Sequence, residues 1–367
     1  MSHAEFLRNG RFAGLDGLRC LAIVAVVWHH AQASVAYPIM TRGFLGVDLF
    51  FVLSGFLITT LLLRERASTG SINLKNFWVR RLLRLAPAYY LLLLGITAAY
   101  LLLSSNQEAR QDVLHGFPVY ALYLSNWIDP QAPGLSHIWS LAAEQQFYLL
   151  WPLIEALLAP LWAVVWMVAM VVNQLANFGI TDSRTNALLG TSSLPILDAT
   201  FTPILLGVAA AHLMHARRSF GIMRTLAGFP FAALVFAILI VALLICPLPD
   251  ISGWFRLTFH LAITLLLAAL LLTPNGAVAR ALSLRPVVYV GSISYGIYLY
   301  HFIALHAANL ITRKLPLLSN TFVLTLLISI AIAAISYHLF EVRFLRLQRH
   351  FRSERPLRAP VTLIAGS

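Results

Sequence analysis

Charged residues, lysine above all, and cysteine are scarce in this sequence of 367 residues. Only 11% of the residues are charged, whereas a soluble domain carries about 25%. Lys75 and Lys314 are the only lysines, and Cys20 and Cys246 are the only cysteines. The low charge excludes a soluble enzyme with a large core, and the two cysteines carry no redox signal.

The sequence instead contains long apolar blocks. Hydrophobic residues make up 59% of the chain, and the mean hydropathy is +0.79. A helix needs about 20 such residues to cross about 30 Å of hydrocarbon. Blocks of this length lie at 20–37, 44–63, 85–103, 137–158, 161–178, 196–214, 226–246, 255–273, 287–310 and 319–340. The sequence therefore predicts an all-α polytopic membrane protein, a bundle of about ten transmembrane helices.

A shorter stretch at 113–128, which contains His115, Pro118 and Asn126, decides the topology. If it lies flat as an outer interfacial helix, both termini are cytoplasmic and most of the 26 basic residues fall on the inner side. If it crosses, three arginine-rich segments turn outward, against the tendency of Lys and Arg to gather in cytoplasmic loops. The net charge of +12 is thus mainly an orientation signal, and no nucleic-acid partner is expected.

This topology divides the chain into a membrane-embedded domain at 1–341 and a basic cytoplasmic tail at 342–367 that contacts anionic lipid. Cys20 and Cys246 lie on opposite faces, so they cannot form a disulfide with each other. The block at 20–37 is interpreted as a retained first span, because no small-residue cleavage site of a signal peptide is evident.

Polar residues inside the spans are costly and mark candidate functional sites. Arg19 and His30 are eleven residues apart, about three full helical turns, so they share one face of the first span. Asp48, near the outer end of the second span, lies at a similar depth and could fix the imidazole tautomer. The alternative is that Arg19 only anchors the inner end and that His30 and Asp48 are interfacial residues.

An arginine cluster precedes the third span. Arg81 and Arg84 are three residues apart, so a helix brings their guanidinium groups together. Planar guanidinium groups bind phosphate oxygens in pairs of hydrogen bonds, which suits an anionic ligand. Basic residues at the inner end of a span explain the cluster equally well on composition alone.

Two further spans carry polar stripes. In the fourth span, polar and aromatic residues at intervals of three and four form one face, which should border a wet cavity; they are His137, Ser140, Glu144, Tyr148 and Trp151. In the ninth span, Ser294, Tyr298 and His301 repeat the pattern, and hydrogen bonds between helices explain them at least as well.

Five motifs, in order, resemble the acyltransferase-3 family of integral membrane acyltransferases. They are Gly14-Leu15-Asp16-Gly17-Leu18-Arg19 followed by His30, the run Gly43 to Phe56, Arg81-x-x-Arg84 before Pro87, Trp139-Ser140-Leu141-Ala142-x-Glu144-Gln145-Gln146-Phe147-Tyr148, and Ile293-Ser294-Tyr295-Gly296-Ile297-Tyr298-Leu299-Tyr300-His301. The resemblance covers about residues 14 to 301 and is followed by a tenth span.

The resemblance implies an O-acyltransferase that moves an acyl group, commonly acetyl, from cytosolic acyl-CoA to a hydroxyl of a glycan or related acceptor. By position, His30, Asp48 and Glu144 are the implied catalytic residues. Arg19, Arg81 and Arg84 would bind the donor, and no metal is expected. The implied substrate pocket comprises Trp139, Ser140, Tyr148, Ser294, Tyr298 and His301.

The expected location is the bacterial inner membrane, with membrane lipid, acyl-CoA and a surface glycan such as lipopolysaccharide as partners, and envelope glycan-assembly proteins as further candidates. The outer loop at 104–136, with Trp127, Asp129 and Pro133, is the candidate region for acceptor choice. Whether His30 acts as a general base or forms an acyl-histidine stays open. The alternative functions are a proton-coupled transporter or polysaccharide exporter, without release of coenzyme A, and a non-catalytic glycolipid-binding subunit.

Overall fold

The structure is a computed structural model that describes residues 1–9, 12–31, 41–128, 130, 132–177, 201–247, 253–315 and 320–351. Every regular element within these residues is helical. The α-helices of the first half are α1 (His3–Arg8), α2 (Ala13–Ala31), α3 (Gly46–Thr69), α4 (Leu74–Leu103), α5 (Gln107–Ala121), α6 (Trp139–Leu157) and α7 (Trp162–Asn177). Those of the second half are α8 (Thr202–His215), α9 (Arg217–Ala227), α10 (Ala232–Ile245), α11 (Gly253–Leu272), α12 (Ala277–Leu282), α13 (Arg285–Ser292), α14 (Ser294–Lys314), α15 (Thr321–Ser336) and α16 (Val342–Leu347).

Helix ends follow local sequence signals. Asn73, Asn106 and Asn320 each accept a hydrogen bond from the backbone three residues later, at the starts of α4, α5 and α15. This side-chain cap satisfies a backbone N–H that has no partner inside the helix. Gly70, at a φ of 81°, ends α3 in the left-handed conformation that glycine adopts without steric cost.

Each of the ten apolar blocks overlaps a described helix. Among the described residues, four continuous helical segments are long and apolar enough to cross a membrane, and the number rises to as many as seven if each bent pair counts as one span. The four are Arg42–Thr69, Leu74–Leu103, Gly253–Leu272 and Thr321–Phe351. The chain is therefore a helical membrane protein, while the number ten and the orientation of the termini stay predictions.

One block differs from the single straight span that the sequence predicts, and two further sharp bends occur where predicted blocks begin or end. The ninth block, 287–310, is divided at Ile293 into α13 and α14, which meet at 74°. The break brings Gly291 against the backbone oxygen of Asp16 in α2, where a Cβ atom would overlap that oxygen. The axes of α9 and α10 meet at 65°, and those of α6 and α7 at 106° near Leu158. Close packing between helices, which apolar periodicity does not report, decides where a span bends.

The segment at 113–128 belongs to a helix that begins earlier than predicted, at Gln107, and ends at Ala121. It is not among the helices apolar enough to span a membrane. Two tyrosines of α4 hold its C-terminal end, because Tyr89 donates to the carbonyl oxygen of Tyr120 and Tyr90 to that of Ala121, both at 2.8 Å.

The described part of the tail, residues 342–351, packs against α4. Arg80 donates to the carbonyl oxygen of Phe351 at 2.7 Å, and Gln348 donates to the carbonyl oxygen of Arg80 at 3.0 Å. Residues 352–367 of the predicted tail lie outside the described residues.

Candidate active site

Most of the predicted site residues line one cavity, which lies where α2, α3, α4, α6 and α14 meet. This main cavity has a volume of about 90 Å³. Its predicted residues are Arg19, Arg81, Arg84, Ser140, Glu144, Tyr148, Ser294 and Tyr298. The stripes on the fourth and ninth spans therefore face each other across it.

A larger, strongly basic pocket adjoins the main cavity and shares Arg19, Arg81 and Arg84 with it. This arginine pocket has a volume of about 510 Å³ and also contains Arg64, Arg349, Asp16 and Glu341. Arginines thus outnumber carboxylates in its lining.

The ion pairs leave positive charge available in the arginine pocket. Arg19 binds Asp16 at 3.0 Å. Arg81 and Arg84 have no carboxylate within 4.0 Å among the residues that the structure describes. Arg81 instead lies 5.5 Å above the ring of Tyr148. An anionic ligand with more than one negative charge would complement this lining.

Glu144 is held on the wall of the main cavity by two hydroxyl groups. Ser54 of α3 and Tyr148 of the next turn of α6 both donate to its Oε1, Tyr148 at 2.5 Å. Ser54 is not among the predicted site residues, although it is a hydroxyl residue inside the apolar Gly43–Phe56 run, and that was the available signal.

Hydrogen bonds at Tyr298 connect the wall of the main cavity to a cluster of imidazoles. The Tyr298 hydroxyl donates to the carbonyl oxygen of His137 at 2.6 Å, so its own oxygen accepts from Ser140, at 2.7 Å. Beyond this pair lie His30, His137 and His301, the histidine cluster. The ring centroids of His30 and His137 lie 5.0 and 4.8 Å from that of His301.

His30 faces the histidine cluster while Arg19, on the same helix, lines the two cavities. Nδ1 of His30 lies 3.0 Å from the carbonyl oxygen of Val26 and 3.2 Å from Nε2 of His301. The neighbouring His29 packs on Phe44 at a ring distance of 5.5 Å. Among the described histidine, cysteine and acidic side chains, no group of three is placed to hold a metal ion.

Asp48 lies apart from His30, against α11. Its Oδ2 is 2.9 Å from Nε2 of His260, and its Oδ1 is 3.4 Å from Arg256. Asp48 is only 3% exposed and His260 1%. The sequence prediction did not include Arg256 and His260, yet both are costly residues within the apolar block at 255–273, which was the signal available.

Glu341 is another site residue that sequence reasoning missed. It ends a π-helical turn, Tyr337–Glu341, accepts from Ser336 at 2.9 Å and lines the arginine pocket. An acidic residue directly after the last apolar block was the available signal. Trp139, which was predicted, packs beside Phe51, with ring centroids 6.4 Å apart.

The outer loop places its predicted residues in different surroundings. Trp127 donates to Oε1 of Gln146 at 2.8 Å. Pro133 lines a side groove of about 700 Å³ between α4 and α14. Phe302 also lines this groove and stacks on the ring of His137 at 4.6 Å. Asp129 lies outside the described residues.

Comparison with known proteins gives one family and several relatives. A family model described as an acyltransferase domain matches residues 12–340. A protein of Staphylococcus aureus (strain COL) with the provisional name O-acetyltransferase is 31% identical over 358 residues, 90% of this chain and 57% of the relative. O-acetyltransferase OatA of Staphylococcus aureus (strain NCTC 8325 / PS 47) is 28% identical over 365 residues, 89% of this chain and 56% of that protein. The chain thus spans little more than half the length of these relatives. No solved structure matches it.

Proposed function

The chain belongs to the acyltransferase-3 family, and on that premise we propose that it is a membrane O-acyltransferase that uses acyl-CoA, in particular acetyl-CoA, as donor. The acceptor is a hydroxyl group of a carbohydrate or related molecule. The relatives named O-acetyltransferases support the acetyl group.

The arginine pocket and its continuity with the main cavity carry this proposal. Coenzyme A bears several negative phosphate charges at one end and the thioester at the other. Arg81 and Arg84, which lack carboxylate partners among the described residues, would bind the phosphates. The pantetheine arm would then lead the thioester into the main cavity, toward Ser140 and Tyr298.

The reaction requires a base for the acceptor hydroxyl, and His30 is the proposed group. Its imidazole removes the hydroxyl proton as the hydroxyl oxygen attacks the thioester carbonyl carbon. The carbon–sulfur bond then breaks, and the coenzyme A thiolate leaves and takes up a proton. Glu144, held by Ser54 and Tyr148, would support the polar end of the acyl group or of the acceptor.

The acceptor side is proposed to face outward, where the side groove and the outer loop lie beside the histidine cluster. A bacterial inner membrane, with cytosolic acyl-CoA on one side and a surface glycan such as lipopolysaccharide on the other, fits this arrangement. A separate envelope glycan-assembly protein would then receive or present the glycan. Mass spectrometry of surface glycans from cells with and without the gene, seeking a lost acetyl ester, would identify the acceptor.

Donor binding tests the proposal directly. The full chain in lipid nanodiscs should bind radiolabelled acetyl-CoA in equilibrium dialysis, and the double variant Arg81→Ala, Arg84→Ala should bind it roughly 100-fold more weakly. Each charge-assisted hydrogen bond contributes about 1.5–3 kcal/mol, and 1.4 kcal/mol is tenfold in affinity.

Two controls accompany this measurement. Arg285→Ala removes an exposed arginine at the start of α13 that lines neither cavity, so its affinity should be unchanged. His30→Ala should bind acetyl-CoA normally but no longer transfer label to alkali-labile esters in host membranes. Unchanged affinity in the arginine double variant would overturn the donor site, and normal transfer by His30→Ala would overturn the proposed chemistry.

A further inference from the structure

The hydrogen bonds of the histidine cluster point to a specific role for His301. We propose that His301 is a positioning residue: its Nε2 accepts the Nδ1 proton of His30 and so directs the lone pair of His30 Nε2 toward the acceptor hydroxyl. This inference rests on the proposed function, because it assigns the protonation state that the base needs.

The tautomer of His301 follows from one carbonyl group. Nδ1 of His301 lies 2.5 Å from the carbonyl oxygen of Tyr298. A carbonyl oxygen can only accept, so Nδ1 must carry the proton that it donates. In a neutral imidazole the other nitrogen then has the lone pair, so Nε2 of His301 is an acceptor. His301 is fully buried, and burial without a charged partner favours the neutral form.

The tautomer of His30 follows from the same reasoning. Its Nδ1 faces two acceptors, the carbonyl oxygen of Val26 at 3.0 Å and Nε2 of His301 at 3.2 Å. Nδ1 must therefore carry the proton, shared between them, which leaves the lone pair on Nε2. The opposite tautomers would bring lone pairs into contact at Val26 and at Tyr298. With the proton on Nδ1, Nε2 of His30 carries the lone pair and is free to accept a proton.

His301 also supports the imidazolium that forms when His30 accepts a proton. In many hydrolases a carboxylate orients the catalytic histidine and stabilises its charged form. Here the carboxylate of Asp48 binds His260, and no carboxylate contacts His30 among the residues that the structure describes. The acceptors at Nδ1 are a backbone carbonyl and a neutral imidazole.

The surroundings of His301 keep its ring in place. Phe302 packs on it at a ring distance of 4.8 Å, edge to face. His137 lies at the same distance and donates through Nε2 to the carbonyl oxygen of Leu299, at 3.3 Å. The Nε2 proton of His137 is thus directed to that carbonyl oxygen, and Nε2 of His301 is left to His30.

Kinetics of two variants at His301 test the role. Leucine cannot accept the Nδ1 proton, whereas the amide oxygen of glutamine can. We expect His301→Leu to lower kcat about 10- to 100-fold, less than the roughly 100- to 10,000-fold that a general base contributes in full, because His30 itself remains. The KM for acetyl-CoA should stay within about twofold because the donor site is untouched. His301→Gln should recover most of the lost kcat. Label transfer is measured with the full chain in membranes of its host lacking the chromosomal gene.

His338→Leu is the matched control, since it removes an exposed imidazole that lines neither the main cavity, the arginine pocket nor the side groove, and it should leave kcat unchanged. Unchanged kcat in His301→Leu while His30→Ala is inactive would overturn the role of His301 and leave the proposed function standing. Active His30→Ala would instead overturn the proposed chemistry.

A measurement on the unmodified chain does not depend on turnover or on the folding of variants. With ¹⁵N-labelled histidine, nuclear magnetic resonance should show the His30 proton on Nδ1 and a coupling across the hydrogen bond to an unprotonated Nε2 of His301. An unprotonated Nδ1 on His30 would overturn the inference, as would equal losses of kcat in His301→Gln and His301→Leu with both proteins folded.

Discussion

Asp48 and Glu144 show how differently two predicted site carboxylates can be placed. Glu144 lines the main cavity and accepts from Ser54 and Tyr148. Asp48 is buried between α3 and α11, where its described partners are His260 and Arg256. Similar depth in the membrane does not bring two side chains together, because the rotation of each helix about its axis decides which neighbour a side chain meets.

These contacts predict a loss of stability in Asp48→Asn. The substitution leaves the guanidinium of Arg256, which is 21% exposed, without its negative partner in a mostly buried site. Breaking one side of such a pair costs roughly 3 kcal/mol of the free energy of unfolding. Thermal unfolding in detergent should therefore show a lower midpoint. Glu108→Gln, at an exposed residue of α5, is the control and should not move it. An unchanged midpoint together with lost acyl transfer would show that Asp48 acts in catalysis instead.

Sequence reasoning reached the main-cavity residues because each lies on a regular stripe. Arg19, Ser140, Glu144 and Tyr298 follow the helical period and face the cavity. Their contacts across helices, such as that between Ser140 and Tyr298, join residues 158 positions apart in the chain, and no local pattern encodes them.

At the scale of elements, two glycines let α3 and α8 cross closely. A Cβ atom at Gly55 would overlap the carbonyl oxygen of Ile204, and one at Gly207 would overlap that of Val52. Small residues at a crossing allow two helix backbones to approach, which is a common basis of helix association in membranes. The crossing also positions Ser54, one residue before Gly55, where it reaches Glu144.

Gly207→Val should separate α3 from α8. The added side chain meets backbone atoms of α3, which cannot rotate away, and overpacking of this kind costs about 1–3 kcal/mol. We expect a lower midpoint of thermal unfolding and reduced acyl transfer, because Ser54 would move relative to Glu144.

Gly221→Ala is the control for this substitution, since nothing lies within 4 Å of a Cβ at Gly221. Its midpoint should equal or slightly exceed that of the unmodified chain, because alanine favours the helix more than glycine does. A Gly207→Val protein with unchanged midpoint and activity would mean that the two helices are not packed this closely.

At the scale of the whole molecule, the basic residues have two separable tasks. Most of them lie in segments that the topology prediction assigns to the inner side. Arg19, Arg81 and Arg84 additionally line the arginine pocket and the main cavity. The proposed donor site would therefore open on the side that faces the cytosolic pool of acyl-CoA.

Thiol labelling tests the sidedness. In a background with Cys20 and Cys246 replaced by serine, we expect an impermeant maleimide to label Asn106→Cys on intact cells. It should label Ser68→Cys and Asn275→Cys only after the membrane is permeabilised. All three positions are exposed in the structure.

The comparison of Asn106→Cys with Asn275→Cys is the decisive one. If α5 crossed the membrane instead of lying at the interface, the segment around Asn275 would turn outward. Labelling of Asn275→Cys on intact cells would then contradict the ten-span topology.

The helical membrane class, the family and the polar stripes could be predicted from the chain's residues alone, because all of these depend on local composition, helical period or motifs. The break at Ile293, the partners of Asp48 and the imidazole contact between His30 and His301 become visible only in the folded molecule. These features depend on how helices distant in the chain rotate and cross. Packing and hydrogen bonding among all the helices together determine these rotations and crossings. No single segment of the sequence contains that information.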